Sequence, residues 1–229
     1  MTDNYHALVF EGSTSVDRVA KFRDKIQQAA KESLHLLIDL SEIDSLPTIS
    51  GAIIGDLITK LQKSYYHIVI INAEVLGSPF MQKHPETETF KYYDNYTQAE
   101  KYFNSHPVKV LVVEDDDITA RLIENYLQNR NLIVVRAVSG EDAIDLSQSE
   151  MPHLILMDIH LPNMNGLEAA QSIRGHQETM DIPVIILSSD SDRDNVVSAK
   201  ELSVEGYILK PFDPNTFFHK LLNVLAGAN

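Results

Sequence analysis

The sequence predicts two α/β units in series, the second a five-stranded parallel sheet wound with helices on both faces, the first a smaller unit. Short runs such as VLVV, LILM and VIIL are apolar at consecutive positions, as expected of strands covered on both sides. They alternate with amphipathic stretches of helical period. At 229 residues the chain also exceeds the commonest domain size, so two compact units suit it better than one.

In chain order, LVFEG, HLLIDL, HIVIINA and TFKYYD read as strands, and SVDRVAKFRDKIQQAA, TISGAIIGDLITKLQK and TQAEKYF as helices. Asn104-Ser105-His106-Pro107 is a short polar stretch ending in proline, which predicts a boundary near residue 106 and units of 1–105 and 106–229. Beyond it, VKVLVVE opens a second alternation, with LIVVRA, HLILMDI, PVIILSS and GYILK as further strands. Between them lie helical stretches at Ile118 to Gln128, EDAIDLSQS, GLEAAQSIR and RDNVVSAKEL. DPNTFFHKLLNVL closes the alternation, with Asp213 placed as N-cap and Pro214 in the first helical position.

Composition narrows the function classes. Cysteine is absent, which removes disulfides, zinc–thiolate sites and cysteine nucleophiles together. With no signal peptide in the reading, a reducing cytoplasm is the expected location. No apolar run approaches the roughly 20 residues needed to cross a bilayer. A formal charge of −14 repels phosphate backbones and anionic lipid, so protein partners are expected rather than nucleic acid or membrane.

The informative residues sit where strands end, because in parallel sheets ligands bind beyond the carboxyl ends of the strands. Glu114 and Asp115 follow the first strand of the second unit and Asp158 ends the third, so one edge should collect three carboxylates. Clustered anions raise one another's pKa unless a cation offsets them, and an all-oxygen acidic site suits Mg²⁺. Ser188 and Lys210 close the fourth and fifth strands, adding a hydroxyl and an ammonium able to hold a phosphoryl oxygen. Phosphoryl transfer needs positioning and charge neutralisation more than covalent chemistry from the protein, and Asp158 would be the in-line nucleophile. In the acidic run Glu114-Asp115-Asp116-Asp117 the metal pair could instead be Asp115 and Asp116. Singly, each feature has a plainer explanation as a solvated loop, a turn or a helix cap.

Taken together, VLVVEDD, LILMDIHLPNMNG, VIILSSD and YILKPF resemble the motif set of the response-regulator receiver family over residues 108–229. The resemblance implies a flavodoxin-like fold, phosphorylation of Asp158, and Mg²⁺ bound by Glu114, Asp115, Asp158 and the backbone carbonyl of His160. It further implies that Lys210 and Ser188 contact the phosphoryl group, that Ser188 and Tyr207 form a switch pair, and that the Lys210–Pro211 bond is cis. Arg121 stands one position later than the arginine of many relatives.

The first unit resembles a STAS domain, the fold of anti-sigma-factor antagonists, in its element order and in LLIDLSEIDSLPTISGAIIG. The usual Asp-Ser-Ser-Gly is replaced by Thr48-Ile49-Ser50-Gly51, which leaves Ser50, and after it Thr48, as counterpart of the phosphorylated serine. A helix N-terminus stabilises an attached phosphate, although the plainer reading of Ser50 is an N-cap alone. A rival is a degenerate second receiver, since LLIDL echoes LILMDI, but one strand–helix pair of that pattern is missing.

The combined expectation is a signalling adaptor rather than an enzyme, with autophosphorylation and slow autodephosphorylation of the receiver as its only chemistry. A sensor histidine kinase or phosphotransfer protein would supply the phosphoryl group, and the surface from Tyr207 to Leu225 would carry the signal. The STAS-like unit would meet a partner of the anti-sigma or switch-kinase kind, and a shift of about 1–3 kcal/mol suffices for a useful switch. Other classes are a transcription factor, which needs a DNA-binding module that no segment suggests, and a phospho-serine switch centred on Ser50. A dehalogenase-type phosphatase would want a second acid two residues after Asp158, where His160 stands.

Overall fold

The computed structural model describes residues 5–10, 15–29, 33–43, 61, 65–76, 90–189 and 204–227. The helices expected over 48–63, with Thr48 and Ser50, and over 193–202 lie outside the described residues, Leu61 excepted. The chain separates into two compact units, Met1–His106 with Asn229, and Pro107–Ala228.

In the first unit, strands β1 (His6–Val9), β2 (His35–Asp39), β3 (His67–Ile71) and β4 (Lys91–Tyr93) form a parallel sheet in the order β1-β2-β3-β4. Helix α1 (Val16–Ala29) places Val19, Phe22, Ile26 and Ala29 at helical spacing, and these pack with Leu36, Ile38, Ile68 and Ile70 on one face. Alternation with period two turns Leu37, Val69 and Ile71 to the other face, where Ala99 and Phe103 of α2 (Tyr96–Ser105) cover them. A short 3₁₀ turn, Ala73–Leu76, follows β3.

In the second unit, β5 (Lys109–Val113), β6 (Ile133–Ala137), β7 (Leu154–Asp158), β8 (Val184–Ser188) and β9 (Gly206–Leu209) form a parallel sheet ordered β6-β5-β7-β8-β9. Its described helices are α3 (Asp117–Gln128), α4 (Gly140–Glu150), α5 (Gly166–Arg174) and α6 (Pro214–Gly227). Leu111, Val113, Ile155, Met157, Val184 and Ile186 pack with Ala143 of α4 and Ala169, Ala170 and Ile173 of α5. Val110, Val112, Leu154, Leu156, Ile185 and Leu187 alternate with them and are wholly buried towards the opposite face. On α3 and α6, Tyr126 meets Phe217 with ring centroids 6.4 Å apart, and the Arg130 guanidinium lies 4.2 Å above the Phe218 ring.

Helix ends follow local chemistry. Asp116 caps α3 through Thr119 N–H at 2.8 Å, Ser139 caps α4 through Asp142 N–H at 3.1 Å, and Asp213 accepts from Thr216 N–H at 2.8 Å. Asn165 and Glu168 form a reciprocal capping box at the start of α5. Among the described residues, no helix is long and apolar enough to cross a membrane.

Candidate functional site

Strand order reverses at β5, so the carboxyl ends of β5 and β7 flank the topological switch point where ligands of such sheets bind. Glu114 directly follows β5 and is 1% exposed, while Asp158 is the last residue of β7 and 5% exposed. With the exposed Asp115 they offer three carboxylate oxygens within 4.8 Å of one another. Lys210, one residue past β9, reaches into this group, its Nζ donating to Glu114 Oε2 at 2.5 Å and to Asp158 Oδ2 at 2.9 Å.

The electrostatics follow from burial. Desolvation pushes the Glu114 carboxyl above its ordinary pKa and the Asp158 charge adds to this, while Lys210 opposes both. For Lys210, burial disfavours the ammonium, but its hydrogen bonds and ion pairs with Glu114 and Asp158 outweigh that and hold its pKa above normal. A set of hard oxygens, two of the three on buried side chains, whose charge is only partly offset by one ammonium favours a divalent cation such as Mg²⁺. Glu114, Asp115 and Asp158 are the side chains that fit one.

Asp116 points elsewhere. Its carboxylate is committed to the cap of α3, which lowers its pKa chiefly through the hydrogen bonds from Thr119, and only its backbone N–H approaches Glu114, at 3.4 Å. Asp117 pairs with Arg136 at 2.6 Å. Strand register and helix capping therefore divide the acidic run, turning two residues to the cluster and two to α3 and its surroundings.

Ser188 ends β8, is fully buried, and its carbonyl accepts the Lys210 backbone N–H at 2.6 Å, which ties the lysine to the edge. Tyr207 lies on β9 opposite Ile186 and packs, partly buried, against the apolar layer beneath α4 and α5. Its carbonyl accepts from Lys220 Nζ on α6. The His160 backbone N–H stands 3.5 Å from Asp158 Oδ1, and the Lys210–Pro211 peptide is cis.

Sequence reasoning assigned no role to Gly166, although it ends the quoted motif. A Cβ built there would lie 1.8 Å from the Asp158 carbonyl oxygen, so the start of α5 touches the main chain of the central carboxylate. A glycine opening a helix eight positions after a strand-end aspartate was the available signal, but only the folded contact gives it meaning.

Comparison with known proteins agrees with this geometry. Residues 110–222 match the response regulator receiver domain model. The response regulator ArlR of Staphylococcus saprophyticus is 39% identical over 105 residues, 46% of this chain and 46% of that protein. The probable transcriptional regulator ycf27 of Guillardia theta is 32% identical over 121 residues, 53% of this chain and 46% of that one. The chain thus spans less than half the length of these relatives. Among solved structures, a putative response regulator from Chloroflexus aurantiacus is similar at 30% identity with a TM-score of 0.51, covering 53% of this chain and 99% of that one. The chemotaxis protein CheY4 of Vibrio cholerae is similar at 25% identity and TM-score 0.50, covering 52% and 99%. With its order β6-β5-β7-β8-β9 and its acidic edge, the segment 110–222 is a two-component response regulator receiver domain of the CheY-like, flavodoxin-like kind.

Proposed function

We propose that Asp158 is the phosphoacceptor of this receiver and that its phosphorylation switches the protein interactions of the chain. The observation that carries the reading is the convergence of Glu114, Asp115 and Asp158 within 4.8 Å around the Lys210 ammonium. Asp158 Oδ attacks the phosphorus of a phosphohistidine on a sensor kinase or phosphotransfer protein. The P–N bond breaks as the P–O bond forms, and the imidazole leaves with its electron pair. Mg²⁺ held by Glu114, Asp115, Asp158 and the His160 carbonyl would neutralise charge on the transferring group. The capping role of Asp116 favours this set over the Asp115–Asp116 pair.

Lys210 holds a phosphoryl oxygen once the ester forms, exchanging part of its contact with Asp158 for the phosphate. The Ser188 hydroxyl turns to the same group and Tyr207 moves behind it, altering the surface of β9 and α6. The N-terminal unit is then the output, in keeping with its sequence resemblance to STAS domains, and the overall charge of −14 on the chain suits a protein partner rather than a nucleic acid. On this reading the protein works in the cytoplasm, beside its kinase.

The test is incubation of the full chain with acetyl phosphate and Mg²⁺, followed by intact mass. One phosphoryl group should add to the wild type and none to Asp158→Asn; equal labelling of the variant would relocate the acceptor. Partner capture with each form then tests the coupling, which independence from phosphorylation would refute.

A further inference from the structure

We propose that Gly166 is a positioning residue whose bare Cα, packed against the Asp158 main chain, sets where the Asp158 carboxylate stands relative to Glu114, Asp115 and Lys210. The inference rests on the phosphoacceptor reading and deepens it. A Cβ at Gly166 would come 1.8 Å from the Asp158 carbonyl oxygen, 2.9 Å from its carbonyl carbon and 3.0 Å from Met157 Cγ. The first two obstacles are backbone, which cannot rotate aside as a side chain tip does.

Neither partner is free to retreat. Asp158 pairs in register with Leu187 of β8, and Ile159 N–H donates to Leu187 O at 3.2 Å. Gly166 N–H donates to Ile159 O at 3.0 Å, closing the loop from the other side, while the Asn165–Glu168 capping box anchors the first turn of α5. Within that loop, Met164 lies 3.1 Å from the Cβ position of Gly140 on α4, so the segment between Asp158 and Gly166 is held against a second helix. Relief of the clash has to come from turning the Asp158 peptide or parting α5 from β7. Either displaces a carboxylate whose oxygens work at 2.9 Å from Lys210 and within 4.8 Å of two other acids.

Gly166 opens a helix, and its backbone requires no left-handed conformation, so space rather than dihedral freedom is what glycine supplies. A purely structural role would make Gly166→Ala less stable while each folded molecule labelled normally. A positioning role slows the reaction itself, because a misplacement of about 1 Å costs on the order of 100-fold in rate.

The experiment compares wild type, Gly166→Ala and Asn165→Ala in the full chain. The last loosens the same helix start without adding a Cβ. Labelling by acetyl phosphate is followed by intact mass across a Mg²⁺ series, and the Asp158 and Ile159 amide resonances are recorded in the absence of phosphodonor. Gly166→Ala should stay folded, move both resonances, and label about 100-fold more slowly even at saturating Mg²⁺, with Asn165→Ala near the wild-type rate. Wild-type labelling by folded Gly166→Ala with unmoved resonances overturns the proposal, and so does failure of Gly166→Ala to fold, which would make the contact structural. If the wild type itself takes no label, the phosphoacceptor reading fails, and the two resonances alone decide whether Gly166 places Asp158.

Discussion

Asp39 and Asp158 occupy matching places in the two units. Each is 5% exposed and ends a parallel strand whose five residues are all buried, HLLID in β2 and LILMD in β7. Their surroundings differ. Asp39 Oδ1 accepts from Ser41 N–H at 2.8 Å and Asn72 Nδ2 at 3.0 Å. Burial would raise its pKa, but these bonds and one from Tyr96 outweigh it and keep the carboxylate ionised. Asp158 instead faces Lys210 and two further acids. Neutral donors leave a carboxylate satisfied and inert, whereas neighbouring acids and one ammonium leave charge that only another cation can complete.

The largest test of this contrast is Lys210→Met. Removing the ammonium strands Glu114 and Asp158 together, and loss of one member of a buried ion cluster costs about 3–5 kcal/mol. Urea unfolding with EDTA should show that loss, and excess Mg²⁺ should restore part of it. If Mg²⁺ restores nothing, the acidic edge is not a cation site.

Acidification should separate the two units next. His35 begins β2, stacks on His67 with ring centroids 5.1 Å apart, and its Nδ1 has no hydrogen-bond partner among the described residues. Burial first, and the His67 charge second, push its pKa down to about 3. The folded unit therefore refuses a proton that the unfolded chain accepts below its ordinary pKa of 6.5. This contribution to stability is complete above pH 6.5 and is lost as pH falls towards 3, at about 1.4 kcal/mol per pH unit, or roughly 2 kcal/mol by pH 5. Hydrogen exchange of the β2 and β3 amides should quicken accordingly, and His35→Phe should remove the slope. Glu114 acts in the opposite sense. Its raised pKa means that stability present at low pH is lost as pH rises through that value, so metal-free acidification relieves the strain at Glu114 itself.

The smallest effect is expected of Asp39→Asn, which keeps an acceptor for Asn72 and Ser41 while removing the charge. A loss of about 1 kcal/mol is expected in urea unfolding, unchanged by Mg²⁺. A Mg²⁺-dependent loss would erase the distinction between the two aspartates.

Much of the second unit was legible because its signals were local. Consecutive apolar residues marked VLVV, LILM and VIIL as strands buried on both faces, and the acids, serine and lysine stood at their ends in motif order. The choice within Glu114–Asp117 was not legible, since all four residues are acids and only the start of α3 turns Asp116 into a cap. The partners of Asp39 were equally hidden. Asn72 lies 33 positions away, and it meets Asp39 only because β2 and β3 pair in register.

The sequence by itself determined which segments are strands and which residue types stand at their ends, because burial on two faces and helical amphipathicity are written in local periods of two and 3.6. Tertiary structure alone decided which ends adjoin. The order β6-β5-β7-β8-β9 set the carboxylates of β5 and β7 side by side beneath Lys210, and the packing of α5 on β7 left room at residue 166 for nothing larger than hydrogen. Both depend on contacts between distant segments, in which backbone pairing and steric exclusion act through space and leave no periodic trace along the chain.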